Sequence, residues 1–107
     1  MKSQLKKGVI EIFVLAVIAR EPSYGYKIVS DLSSYIEISE STLYPILRRL
    51  EKQDMLETYN ELFQGRNRKY YKITKKGQKK IKDFLDEWES IRKVYDLLTG
   101  VELWKSF

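Results

Sequence analysis

Residues 41–52, STLYPILRRLEK, gather cations and hydroxyls on one side of a helical wheel. Advancing 100° per residue, Ser41, Pro45, Arg48 and Lys52 fall together, flanked by Thr42, Tyr44 and Arg49. Arg48, Arg49 and Lys52 can reach phosphate oxygens or guanine edges, and Ser41, Thr42 and Tyr44 offer hydroxyls to phosphates or base edges. A second group follows, Arg66, Arg68 and Lys69, beside Gly65. This is chemistry for gripping a polyanion, not for making or breaking bonds. The chain has no histidine and no cysteine. That removes imidazole acid–base catalysis, Cys–His and Ser–His nucleophiles, thiolate zinc sites and disulfides. No phosphate loop, metal constellation or set-apart carboxylate pair stands out, so neither an enzyme nor a cofactor is expected.

Charge is distributed as this chemistry requires. The 107 residues carry a net +5, with a sequence pI of about 9.3. Residues 1–40 hold five basic and five acidic groups; residues 41–82 hold twelve basic and four acidic, a net of +8. Residues 83–107 hold three basic and six acidic, a net of −3. A basic block in mid-chain implies a polyanionic partner, with nucleic acid ahead of an anionic membrane surface. At the start, Lys2, Lys6 and Lys7 precede the apolar run Val9–Ala19. Glu11 interrupts that run, it is too short to span a bilayer, and "REPSYGY" offers no convincing cleavage site. A buried helix of a cytoplasmic protein is expected, with no membrane partner; a signal peptide is the lesser alternative.

Three helices, a hairpin and a long helix would position these groups. Leu5–Arg20 carries two apolar stripes, Val9, Ile12, Phe13 and Ala16 on one side, Ile10, Val14, Val17 and Ile18 on another. Ser23 is a candidate cap for a second helix over Tyr24–Leu32, with Gly25, Ile28, Val29 and Leu32 inward. In "SSYIEIS", Ile36 and Ile38 alternate as in one brief strand. Ser39 or Ser41 caps the third helix, which buries Leu43, Ile46, Leu47 and Leu50. Pro45 is tolerable near a helix start, where the first N–H groups lack intrahelical partners. If Ser41 is the cap, Pro45 forfeits only the first bond. Leu56–Phe63 and Arg68–Thr74 read as strands joined by "QGRN", a hairpin turn.

Thr74 is then the cap of a last helix, Lys75 to about Leu98, ended by Gly100. Its apolar residues Ile81, Phe84, Trp88, Ile91, Tyr95 and Leu98 recur at a heptad spacing, widened by Leu85 and Val94. The rest of the chain offers too little surface to cover that seam, so a homodimer through these six residues is expected. The tail "VELWKSF" is apolar enough to dock, at a place the sequence does not specify.

The expected fold class is mainly α with a small β-hairpin: a winged helix–turn–helix over residues 1–74, then a dimerisation helix and tail over 75–107. In such a fold the third helix enters the major groove and the hairpin, or wing, touches phosphates or the minor groove. The segments "SYGYKIVSDL", "SESTLYPILRRLEKQDML" and "GRNRKYYKITKKG" resemble the PadR-like transcriptional regulators, over about Gly8–Leu98. The resemblance implies a homodimeric repressor of double-stranded DNA, usually of efflux or detoxification genes, with one C-terminal dimerisation helix. Asp54 stands where that family usually has glycine. Some short members stack flat aromatic drugs on a tryptophan of this helix, and Trp88 matches that position. The resemblance thus implies a planar aromatic effector at Trp88, although dimer core alone also explains an apolar residue there. The alternative function is a winged-helix module for protein–protein assembly without its own operator.

Overall fold

The computed structural model describes residues 3–100. Helices α1 (Ser3–Arg20), α2 (Gly25–Leu32) and α3 (Glu40–Lys52) lead into a hairpin, β1 (Leu56–Phe63) and β2 (Arg66–Ile73), and then α4 (Lys75–Thr99). The fold is mainly helical with one antiparallel hairpin, as expected. The tail "VELWKSF" lies outside the described residues.

One core joins the first three helices to the base of the hairpin. Val14, Leu15 and Ile18 of α1 meet Ile28 and Leu32 of α2, the four-residue stripe Leu43, Ile46, Leu47 and Leu50 of α3, and Leu56, Tyr71 and Ile73 of the strands. Ile81 of α4 packs only at its margin. Each aliphatic side chain buried here contributes about 1.5–3 kcal/mol. The core thus fixes which side of α3 faces outward.

Local signals set the ends of the elements. Ser39 is the α3 cap, its Oγ accepting from the Thr42 N–H at 3.3 Å. Pro45 therefore sits two residues deeper than a Ser41 cap would place it, and the bond it forfeits is to the Ser41 carbonyl, two bonds beyond the first. Both residues are exposed, so water can serve that oxygen. At the far end of α3, Met55 N–H donates to Leu50 O at 2.9 Å and Asp54 N–H to Glu51 O at 3.0 Å. That pair of bonds is the Schellman arrangement, and it puts Asp54 at φ 61°. Thr74 caps α4 as expected, accepting from the Gly77 N–H at 3.1 Å and donating to Asp54 O at 2.6 Å. Gly77 is required there: a Cβ would stand 2.4 Å from the Met55 carbonyl oxygen.

Three expectations are corrected. Ser23 does not cap α2. Tyr24 holds the cap position without a side-chain bond, and Ser23 pairs with Tyr71 as a bridge on the edge of β2 through bonds of 3.0 and 2.7 Å. The segment around Ile36 and Ile38 forms no strand; both side chains lean on the core from an irregular connection. The hairpin turn is Gln64–Gly65 alone, since Phe63 pairs with Arg66. Both turn residues have positive φ, 51° and 77°, which matches the twist of the flanking strands. Arg66 and Asn67 thereby enter β2.

Candidate nucleic-acid interface

The outward side of α3 carries Ser41, Thr42, Tyr44, Pro45, Arg48 and Lys52, all exposed. At its leading end the Ser39 hydroxyl lies 2.9 Å from Ser41 Oγ and 3.2 Å from Thr42 Oγ1, a cluster of small donors and acceptors. Tyr44 folds back over α2. A Cβ on Gly25 would stand 2.6 Å from the Tyr44 hydroxyl, so glycine makes room for that ring.

Arg49 belongs elsewhere. Its Nε donates to Glu11 Oε1 at 2.7 Å, while Nη2 stands near the same oxygen without the alignment of a hydrogen bond. Both side chains are partly buried, so this pair ties α3 to α1. The apolar run of α1 held the signal: Glu11 was its one charge, and a charge on a packed helix needs a partner. Arg49 thus directs its charge at Glu11, whereas Arg48 keeps its own on the outer face.

The wing supplies the other cations. Arg66 is exposed at the turn. Arg68 projects from the face of β2 that also bears Tyr70, and its guanidinium carbon lies 3.9 Å from the Tyr24 ring centroid and 3.8 Å from that of Phe63. Lys69 points to the other face, 3.6 Å from Glu51 of α3, and Glu51 also accepts from the Thr58 hydroxyl at 3.2 Å. Glu51 thus links α3 to both strands of the wing. Burial raises the Tyr71 phenol above the ordinary tyrosine range, opposed by the neighbouring Lys69 ammonium. Tyr24, Phe63, Glu51 and Glu11 were not legible as site residues, because each acts through a partner distant in sequence.

The exposed cations of α3 and of the wing lie on adjoining elements, tied together by Glu51, as in a winged helix–turn–helix. Along α4, Phe84 and Ile81 are partly covered, whereas Trp88, Ile91, Tyr95 and Leu98 are exposed, with Leu98 79% accessible. Trp88 stacks on Phe84 with centroids 6.1 Å apart and rings inclined by 20°. No described helix is long and apolar enough to cross a membrane.

Comparison with known proteins agrees with this architecture. The model of the transcriptional regulator PadR-like family matches residues 14–83. The solved structure of smu.1704 from Streptococcus mutans is 39% identical with a TM-score of 0.78, over 88% of this chain and 90% of that one. A PadR-like transcriptional regulator from Bacillus cereus is 33% identical with a TM-score of 0.79, over 91% and 97%. Bacillus subtilis PadR, solved in complex with operator DNA, is 21% identical with a TM-score of 0.67, over 72% and 46%, and shares the fold. With a family match across most of the core, α3 and the wing, the chain belongs to the PadR-like family of transcriptional regulators.

Proposed function

We propose that this regulator is a homodimeric repressor that reads a pseudo-palindromic operator in double-stranded DNA. The observation that carries the reading is the basic, hydroxyl-rich outer face of α3 beside an arginine-bearing wing. Arg48, Lys52, Ser41, Thr42, Tyr44 and Pro45 form the leading surface of the recognition helix, and Arg66, Arg68 and Lys69 serve the wing. The relative crystallised on operator DNA shares this fold and supports the same use of it. A module for protein–protein assembly would want an apolar outer face on α3, which this chain lacks.

Residues 1–74 form the DNA-binding unit in this reading, and residues 75–107 the dimerisation helix and tail. Two copies joined along Ile81, Phe84, Trp88, Ile91, Tyr95 and Leu98 would place two α3 helices in successive major grooves, about 34 Å apart. Selection of bound fragments from random duplex DNA by the purified chain tests this directly. The expected result is a two-fold symmetric motif with half-sites one helical turn apart, and an affinity that falls steeply with salt. No enrichment even in dilute buffer would overturn it.

The stacked, half-exposed Trp88 supports a finer reading, a planar aromatic effector held between the two copies. Such a ligand shifts operator affinity only if it prefers one arrangement of the heads. Saturable quenching of Trp88 fluorescence by a planar cationic dye, weaker when operator is bound, is expected. No saturable quenching would remove the pocket.

A further inference from the structure

We infer that Arg68, clamped between Tyr24 and Phe63, is a pre-oriented fork for one DNA phosphate, the phosphate on the ridge between the groove entered by α3 and the groove met by the wing. The inference rests on the DNA-binding reading above. Two ring faces, 3.9 and 3.8 Å away, occupy the approaches to the guanidinium carbon. What remains free is the N–H edge, and that edge matches two oxygens of a phosphodiester. The clamp is itself braced. Tyr24 meets the Tyr70 ring edge-on at 5.4 Å, and Tyr70 stacks on its cross-strand partner Tyr59 at 5.5 Å. Among the described residues Arg68 forms no ion pair, whereas Lys69 faces Glu51. The guanidinium is thus held in place by aromatic contacts and keeps its charge for an outside anion.

Placement selects the anion. Tyr24, Tyr26, Glu40, Tyr44, Arg68 and Lys69 line an open concavity of about 390 Å³. Its walls come from the start of α2, the first turns of α3 and the middle of β2. With α3 in the major groove and the wing at the neighbouring minor groove, anything between them straddles the backbone strand that separates the grooves. The cations of Arg68 and Lys69 outweigh the single carboxylate of Glu40 on that surface. Tyr24 and Phe63 are positioning residues in this scheme. Tyr24 lies just ahead of α2, outside both elements usually credited with reading DNA.

The full chain on its selected operator, with each phosphate replaced in turn by a neutral methylphosphonate, provides the test. One replacement per half-site is expected to weaken wild-type binding about tenfold and to cost Arg68→Ala nothing further. Arg68→Lys keeps the charge without the fork and should lose most of the same factor. Tyr24→Leu should lose affinity alone but none in the Arg68→Ala background, with thermal melts confirming that each variant is folded. Wild-type affinity in Arg68→Lys, or additive losses from Tyr24→Leu and Arg68→Ala, would overturn the clamp. Full methylphosphonate sensitivity in Arg68→Ala would overturn the phosphate assignment. A wild-type chain that selects no duplex would instead overturn the DNA-binding reading itself.

Discussion

Asp54 holds φ at 61°, in the left-handed region that glycine enters without steric cost. Its place after the last turn of α3, with the Met55 and Asp54 N–H groups bonded back to Leu50 and Glu51, demands that conformation. Its carboxylate also sits at the negative end of the α3 dipole. Asp54→Gly should therefore stabilise the fold by about 0.5–1 kcal/mol, after the greater unfolded-state freedom of glycine is set against the relieved strain. Thermal denaturation at fixed protein concentration would show it as a higher midpoint. On the proposed DNA-binding reading, the two adjacent arginines of α3 divide between fold and recognition. Arg49 is partly buried against Glu11, and Arg48 is exposed. Arg49→Ala strands the Glu11 carboxylate and should cost about 2 kcal/mol of stability. Arg48→Ala should leave the melt within about 0.5 kcal/mol and weaken operator binding instead. Equal effects of the two on stability would erase the distinction.

At the level of elements, α3 balances an imposed irregularity against a fixed core stripe. Pro45 removes an N–H that would have met the exposed Ser41 carbonyl. Because Ser39 is the cap, this bond lies in the second turn, where proline is not free of cost. Pro45→Ala should raise stability by about 1–2 kcal/mol, less than the full mid-helix penalty because Ser41 is exposed and water can reach its carbonyl. Differential melting of the two proteins at one concentration measures it, and an unchanged midpoint would mean that the ring costs nothing there. Much of this element was readable in advance. The stripe Leu43, Ile46, Leu47 and Leu50 encodes its buried side, and the spacing of Ser41, Arg48 and Lys52 its open one. What periodicity could not show are pairings between residues far apart in sequence. Ser23 reads as a cap because serine before a helix usually is one; its backbone is instead taken by Tyr71. Arg49 reads as an outward cation until Glu11, 38 residues earlier, comes beside it. Arg68 carries no local sign that Tyr24 would cover one of its faces.

The whole molecule is elongated, 67 × 27 × 22 Å, and the buried core lies on α1–α3 and the hairpin. Twenty-five residues of α4 extend about 37 Å. Beyond Phe84 the helix leaves the core and bares Leu85, Trp88, Ile91, Val94, Tyr95, Leu97 and Leu98, each more than half exposed. A monomer rarely keeps so continuous an apolar strip in water, and a second α4 with the same heptad spacing is a fitting cover. Under that arrangement, dimerisation and operator affinity are one quantity seen twice. Each head alone makes a weak contact, and joining two heads turns the second contact into an intramolecular event worth about 10²–10⁴ in avidity. Ile91→Glu places a charge in the middle of the strip and touches none of the cations on α3 or the wing. It should yield a folded monomer by sedimentation, because the core residues are untouched, and should lower affinity for a two-half-site operator by at least about 10². Binding to an isolated half-site, weak in both proteins, should be unchanged. If the variant sediments as a monomer yet still binds the full operator as tightly as wild type, the heads do not need one another, and α4 has some purpose other than pairing them.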